Sequence, residues 1–255
     1  MPPLSEPTLV RFAAWAMIAT GLVTALALRF VSAPYGRHAR GGWGPQIPSR
    51  VGWIMMEAPA SLAFLAIYLQ GDHRASPAPL VLLAMWQLHY VHRAFIFPFR
   101  MRVTGKTMPA SIPLMAICFN GWNAYINARF ISHVGNYDLA WLSTPQFLAG
   151  AALFLTGMAI NVWADTVLLR LRRPGETGYK VPRGGLFELV ACPNYLGEIL
   201  EWTGWAVATW SLPGLAFAVY TAANVGPRAG THLDWYRQKL PDFPRNRKAL
   251  IPFVW

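Results

Sequence analysis

Seven apolar stretches, separated by short polar segments, follow one another along the chain. They cover about residues 9–31, 51–69, 79–99, 111–128, 145–169, 195–210 and 212–225. Several reach the ~20 residues that a helix needs to cross a bilayer, and hydropathy of this kind predicts membrane helices. The last two stretches meet at Ser211, Leu212 and Pro213 almost without a loop. We expect either a tight helical hairpin or one broken helix there.

The composition also indicates a membrane protein. Of the 255 residues, 55% are apolar and 13% are charged, whereas about 25% are charged in typical soluble domains. No internal repeat, low-complexity tract or linker divides the sequence. We therefore predict an all-α, multi-pass membrane protein with seven transmembrane helices in one bundle, forming a single domain over residues 1–255.

The basic residues predict the orientation of this bundle. The net charge is +11, and the positive-inside rule places the Lys- and Arg-rich loops in the cytosol. One set of loops carries most of these residues, at positions 29, 37, 40, 50, 100, 102, 106, 170, 172, 173, 180, 183, 228, 237, 239, 245, 247 and 248. The other set carries only Arg11, Arg74 and Arg129. The N-terminus should lie outside or in the lumen, and the C-terminus in the cytosol.

Several classes of function are disfavoured. A nucleic-acid partner needs a solvated basic face, whereas here the charge falls in loops between apolar spans. Cys118 and Cys192 are too few for a disulfide framework or a four-ligand zinc site, and we predict no metal. A strand followed by Gly-x-Gly-x-x-Gly and a Walker loop are both absent from the sequence. Any dinucleotide would therefore have to bind inside the helical bundle.

Ionisable residues inside the second and third spans form the first candidate group. Glu57 lies in the second span, and His89, Tyr90, His92 and Arg93 lie in the third. Such residues are costly in lipid, so they usually face the bundle interior and mark function. A neutral acid beside a phenol can donate hydrogen bonds to a ketone oxygen. The alternative is a structural pair in which Glu57 neutralises Arg93 or a histidine.

A polar stripe on the fifth span forms the second group. Asn161, Asp165, Leu168 and Arg172 are spaced by four, three and four residues, which places them on one helical face. An aspartate that accepts hydroxyls and an arginine that pairs with phosphate would suit a ligand with ribose and phosphate parts. The alternative is a helix cap with an arginine at the membrane interface.

The third group joins the sixth span to the C-terminal tail. Glu198 and Glu201 lie about one turn apart and repel each other, so they need donors, which we expect from the tail. The residues of the group are Asn194, Glu198, Glu201 and Trp202 in the span, and Arg228, His232, Trp235 and Tyr236 in a tail helix. A structural salt-bridge network is the alternative.

Several motifs resemble those of the membrane steroid 5α-reductases. They are residues 184–190 (GGLFELV), 194–202 (NYLGEILEW), 208–213 (ATWSLP) and 245–253 (RNRKALIPF), with 53–59 (WIMMEAP) and 89–93 (HYVHR) in the N-terminal half. Together they cover most of the chain. The segment 194–198 alone is shared with other membrane sterol reductases and with isoprenylcysteine-type methyltransferases.

The resemblance implies a seven-helix fold that binds NADPH on the cytosolic side and takes a 3-oxo-Δ4 steroid from the lipid. Glu57 and Tyr90 would bind the 3-keto oxygen as the catalytic pair, and Trp53, Phe119 and Tyr195 would line the steroid pocket. Hydride would then attack the α face of C5, and the enolate would be protonated at C4.

The resemblance also assigns the cofactor site, most of it to residues 145–255. The cofactor-binding residues would be Asn161, Asp165, Arg172, Tyr179, Lys180, Asn194, Glu198, Arg228, His232 and Tyr236. The chain departs from the mammalian pattern at four places, which are Met56, Met101, Lys180 and Cys192-Pro193. Lys180 stands for an arginine and lacks its bidentate fork, which weakens the prediction that NADPH is preferred over NADH.

Other functions remain open at this point. The chain could reduce another conjugated lipid, such as a polyprenol or an enoyl thioester, or it could be a membrane methyltransferase that uses S-adenosylmethionine. A non-catalytic sterol-binding protein is a third alternative. We predict a monomer whose partners are a steroid or sterol-like lipid and the membrane lipid. Eighteen arginines against four lysines suggest a bacterial inner membrane; in a eukaryote the location would be the endoplasmic reticulum.

Overall fold

The computed structural model describes residues 5–31, 38, 41–103, 105–171, 176 and 178–255. These residues are mostly helical, which confirms the predicted helical architecture. The seven long helices are α1 (Glu6–Ala27), α2 (Ser49–Tyr68), α3 (Pro77–Arg100), α4 (Ser111–Arg129), α5 (Pro145–Arg170), α6 (Pro193–Thr209) and α7 (Leu212–Lys239). Shorter helical turns lie at Phe130–Val134, Leu139–Ser143 and Gly185–Glu188.

Proline and hydroxyl residues define where the last helices begin. Proline occupies the first turn of α5, α6 and α7, where its missing N–H costs nothing. Thr144 accepts a hydrogen bond from the Phe147 N–H at 3.2 Å, and Ser211 accepts one from the Gly214 N–H at 3.0 Å. Because α6 ends at Thr209 and α7 begins at Leu212, the junction is a tight helical hairpin and not one broken helix.

The last helix is longer than predicted. It continues to Lys239 instead of ending near residue 225, and it passes Pro227 on the way. The predicted tail helix is thus the second half of α7. Hydropathy located only the apolar half, because the remainder is amphipathic.

A small two-stranded sheet, which the sequence did not predict, accompanies the helices. Strand β1 (Gln46–Pro48) pairs antiparallel with β2 (Thr107–Pro109), and Ile47 lies opposite Met108. The segments that lead into α2 and α4 run side by side, and their backbone groups satisfy each other. The Ser49 N–H extends this pairing by donating to the Lys106 carbonyl at 2.9 Å.

Within the described residues, four helices are long and apolar enough to cross a membrane, namely α1, α2, α3 and α5. These four helices indicate a membrane protein. Two of the other long helices depart from the pattern of a membrane span. Helix α4 carries the buried polar amides of Asn120, Asn123 and Asn127. Helix α6 has 17 residues, fewer than the ~20 that usually cross a bilayer. The seven-span count stays a prediction.

Candidate active site

A cavity of about 620 Å³ lies inside the bundle. Its wall is built by α2 to α7 and by the segments that precede α2, α4 and α6. The predicted site residues on this wall are Trp53, Glu57, Tyr90, Phe119, Asp165, Tyr179, Asn194, Tyr195, Glu198, Arg228, His232 and Tyr236. The structure therefore brings members of all three groups of polar residues to one cavity.

Arg93 connects two carboxylates on the cavity wall. Its Nε lies 3.8 Å from Glu57 Oε1, and its Nη1 donates to Asp165 Oδ2 at 3.0 Å. The guanidinium also lies 4.9 Å from the ring centroids of Trp53 and Phe97, which adds cation–π attraction. From the sequence, a purely structural pairing of Glu57 with Arg93 is the alternative to a catalytic role. The 3.8 Å contact agrees with that alternative in part. The arginine is nevertheless shared between two acids and lies closer to Asp165.

Tyr90 is held in place by aromatic packing. Its ring centroid lies 5.0 Å from that of Trp86 and 5.5 Å from that of Trp202, and the residue is 4% exposed. It lines the cavity together with Glu57. A phenol that is already ordered loses little entropy when a ligand accepts its hydrogen bond.

Glu201 does not take its donor from the tail, which corrects the sequence prediction. Its Oε1 lies 2.8 Å from His89 Nδ1 on α3, and both side chains are buried. Glu198, one turn earlier, faces the cavity instead. The two neighbouring acids therefore have different surroundings: Glu201 contacts the imidazole of His89 on α3, whereas Glu198 borders the cavity.

Asp165 and Asn194 are polar residues of the cavity wall that contact each other. Asn194 Nδ2 donates to Asp165 Oδ1 at 3.1 Å. Asn161 Nδ2 donates to the Asn194 carbonyl at 2.9 Å. Asn161 itself is not among the residues that line the cavity. Asn161 therefore supports Asn194, and the prediction that it contacts the cofactor directly is not supported by its position.

One further predicted cofactor residue, Lys180, is absent from the described cavity wall. Lys180 is exposed and pairs with Glu176 at 2.5 Å, away from the cavity wall. Arg172 lies outside the described residues. Tyr179 does line the cavity, and its ring packs edge-on against Trp235 with centroids 4.5 Å apart.

The apolar part of the wall comes from α4 and α7. The ring of Phe119 stacks on that of Tyr220 with centroids 4.0 Å apart, and Phe217 lies 6.4 Å from Phe119. Tyr220 and Phe217 were missed in the sequence. A signal was present, however, because cavity residues recur every four positions along α7. They are Tyr220, Asn224, Arg228, His232 and Tyr236, which share one helical face.

The C-terminal segment closes over the loop that precedes α6. The fully buried Arg247 donates from Nη1 to the Pro182 carbonyl at 2.7 Å and from Nη2 to Glu188 Oε2 at 3.0 Å. The Gly184 N–H donates to Glu188 Oε1 at 2.6 Å. This backbone hydrogen bond, followed by Arg247, holds the pKa of Glu188 below its usual range. Burial lowers the pKa of the Arg247 guanidinium, and Glu188 opposes that effect.

The fold and the cavity define a helical membrane protein with a cavity that both polar and apolar side chains line. Residues 106–255 match the family of 3-oxo-5-alpha-steroid 4-dehydrogenases. The chain belongs to that family, as its similarity to individual members also shows.

The relatives are similar over their whole length. Steroid 5-alpha-reductase DET2 of Gossypium hirsutum is 43% identical, with 98% of this chain and 99% of the relative covered. The 3-oxo-5-alpha-steroid 4-dehydrogenase 1 of Bos taurus is 44% identical, with the same coverage. The protein of that name from Homo sapiens is 42% identical, with 99% of this chain and 98% of the relative covered.

The cavity side chains fit a nicotinamide dinucleotide. Asp165 and Glu198 can accept hydrogen bonds from ribose hydroxyls, whereas Lys106, Arg228 and His232 can face phosphate. Acceptors and cationic donors thus lie on one cavity wall, as a ligand with sugar and phosphate parts requires.

Proposed function

We propose that this protein reduces the Δ4 double bond of 3-oxo-Δ4 steroids to 5α-dihydrosteroids with NADPH. The observation that carries the proposal is the convergence of Glu57, Tyr90 and the polar residues of α5, α6 and α7 on one cavity. Family membership supports the same chemistry, since the relatives are named for it.

Tyr90 and Glu57 would act on the 3-keto oxygen. Hydrogen bonds to that oxygen stabilise the negative charge that develops on it, and they act most strongly in a site that excludes water. The Tyr90 ring is fixed by Trp86 and Trp202, so the phenol can serve as the donor. Glu57 is placed beside it and is oriented by Arg93 at 3.8 Å.

The polar half of the cavity would hold the cofactor. Asp165, Asn194 and Glu198 would bind the ribose hydroxyls, and Lys106 and Arg228 would pair with phosphate. NADPH supplies the hydride that adds to C5. The chain's own residues would hold it between the helices that line the cavity.

The apolar half would receive the steroid from the lipid. Trp53, Phe119, Phe217 and Tyr220 line it with aromatic rings, which suit a flat, fused-ring ligand. A monomeric, multi-pass membrane enzyme with its cofactor side in the cytosol is the arrangement that we propose.

The direct test is conversion of testosterone or progesterone by the purified protein with NADPH, with the C5 configuration of the product identified. Tyr90→Phe should lower kcat by about 100-fold or more, since loss of one oxyanion donor typically costs that much. Glu57→Gln should also lower kcat. Tyr125→Phe is the matched control, because Tyr125 lies near Glu6 and outside the cavity wall.

Each outcome has a distinct meaning. A 5α product that Tyr90→Phe and Glu57→Gln suppress supports both the reaction and the pair. Tight NADPH binding without steroid turnover would point to a polyprenol or an enoyl lipid as substrate. A protein that does not bind NADPH would contradict the reductase and favour the methyltransferase.

A further inference from the structure

Three ring side chains form a hydrogen-bonded row at the edge of the cavity. The Tyr195 hydroxyl lies 3.0 Å from His232 Nε2, and His232 Nδ1 lies 3.2 Å from His38 Nε2. The two imidazoles stack with centroids 5.1 Å apart. All three residues line the cavity. A phenol followed by two imidazoles is a chain of groups that can each give up and accept a proton.

The row lies where the two ligands would meet. Tyr195 is a candidate for the steroid pocket, and His232 is a candidate for the cofactor site. Their direct hydrogen bond therefore marks the boundary between the two parts of the cavity. In a hydride transfer the reacting carbon and the cofactor must be in contact, so this boundary is where C4 and C5 of the substrate have to lie.

The reaction needs a proton donor at this boundary. Reduction of C4=C5 adds a hydride and a proton, and Glu57 and Tyr90 are engaged with the ketone oxygen. We propose that Tyr195 protonates C4 and that His232 and His38 return the proton from solvent. The inference rests on the proposed function and assigns a further catalytic residue to it.

The reduction transfers one hydride and one proton to the substrate. The hydride forms the new C5–H bond, and the π electrons of C4=C5 move to the ketone oxygen as an enolate. Collapse of the enolate forms the C4–H bond with the Tyr195 proton. The phenolate takes the Nε2 proton of His232, whose Nδ1 takes the Nε2 proton of His38. His38 is half-buried and regains a proton from water.

The neighbouring groups favour Tyr195 over other tyrosines of the cavity. The guanidinium carbon of Arg228 lies 5.4 Å from the Tyr195 ring centroid, and its positive charge stabilises the phenolate left by the transfer. The rings of Tyr220 and Tyr236 stack on those of Phe119 and Phe243, whereas the Tyr195 hydroxyl lies 3.0 Å from an imidazole nitrogen of His232.

The first test is Tyr195→Phe in the complete protein, with testosterone and NADPH in D2O. We expect kcat to fall by about 100-fold or more, as for loss of a general acid, while the NADPH dissociation constant changes little. The wild type should introduce deuterium at C4 in one configuration, and the variant should give both. Finished product incubated in the same D2O corrects for later exchange.

The second test separates proton supply from cofactor binding. In His232→Ala and His38→Ala, added imidazole should restore part of kcat in proportion to its concentration, which a purely structural role would not produce. His73→Ala is the matched control, since His73 lies in the loop between α2 and α3. Nitrogen-15 NMR of labelled histidines, recorded without substrate, should show His232 with its proton on Nε2.

The outcomes distinguish the two proposals. If the wild type reduces no 3-oxo-Δ4 steroid, the proposed function fails and this inference fails with it. If the wild type is active but Tyr195→Phe keeps kcat and the single C4 configuration, only the inference is overturned. Loss of activity through weaker NADPH binding alone would also overturn it.

Discussion

Arg93 lies in a turn that departs from α-helical geometry. Residues His92–Ile96 form a π-helical stretch within α3, and Pro98 follows it. A proline ring clashes with the carbonyl four residues earlier, and a wider turn removes that clash. Such π-helical turns are frequent at functional sites. Here the turn sets the direction in which Arg93 leaves α3 to reach both Glu57 and Asp165.

We expect Arg93→Gln to destabilise the protein and weaken cofactor binding. It would leave two carboxylates near each other without their cation, and removal of one partner from a buried ion pair costs about 3–5 kcal/mol. Arg93→Lys keeps the charge without the planar fork, so it should lose less. Thermal unfolding in detergent and NADPH titration measure both effects, with Arg11→Gln on the exposed face of α1 as the control. Equal losses in the glutamine and lysine variants would contradict the bridging role.

The contact between Glu188 and Arg247 should make stability depend on pH. Because the folded pKa of Glu188 is lowered, its contribution is fully present above the unfolded value of 4.5 and is lost as the pH falls through the folded pKa. The difference in Tm between wild type and Glu188→Gln should therefore be largest near neutral pH and disappear in acid. A difference that stays constant as the pH is lowered through this range would show that the charge of Glu188 does not matter.

At the scale of helices, α5 and α6 touch along glycines. Gly150 and Gly157 on α5 face Gly197 and Gly204 on α6, each pair seven residues apart. A Cβ at Gly157 would overlap the Glu201 backbone nitrogen, and one at Gly204 would overlap that of Phe154. Small residues at such contacts let two membrane helices approach closely. This contact places Asp165 next to Asn194.

Gly157→Ala should therefore separate α5 from α6. Overpacking of a close contact typically costs about 1–3 kcal/mol, and the shift should also weaken NADPH binding, because Asp165 and Asn194 lie on the two helices. Gly121→Ala is the matched control: it lies within α4, and a Cβ there meets nothing within 4 Å. Unfolding temperature and NADPH affinity would be compared for both variants. If Gly157→Ala behaves like the control, the glycine contact is not needed.

The helices could be predicted from the sequence because each begins or ends with a strong local signal. Hydropathy located all seven to within several residues at most ends, and prolines stand in the first turn of α5 and α6. The second half of α7 was misjudged because its polar residues resemble a loop on a hydropathy scale. The pairing of β1 with β2 is a contact between distant segments, which no local pattern contains.

Only part of the candidate site could be predicted, because a local sequence pattern does not show which distant residues come into contact. The cost of burying Glu57, Arg93 and Asp165 indicated that they need partners, and the structure brings them together. Which partner each would take depends on the packing of helices. The His89–Glu201 contact joins residues 112 positions apart, and the sequence favoured the tail as donor instead. The roles of the site residues stay predictions.

The two ends of the whole bundle differ in charge. At one end, Glu6 of α1 accepts a hydrogen bond from Arg129 at 2.6 Å, and Asp72 lies 2.9 Å from His133, so Arg129 and His133 are each paired with an acid. At the opposite end, Arg50 and Arg100 lie at the start of α2 and the end of α3, where Arg50 donates to the Pro98 carbonyl at 3.1 Å. The sequence predicts that most lysines and arginines of the connecting segments and the C-terminal segment also belong to this second side.

This asymmetry predicts which end faces the cytosol. Lysine and arginine in short loops resist translocation, so the end that carries Arg50, Arg100 and the C-terminus should stay inside. Single cysteines in place of Ala140 and Asp242, both exposed, would report the two sides in a background with Cys118→Ser. In intact cells an impermeant maleimide should label Ala140→Cys and should reach Asp242→Cys only after the membrane is opened. The reverse pattern would invert the orientation, and it would place the cofactor cavity on the side where NADPH is not available.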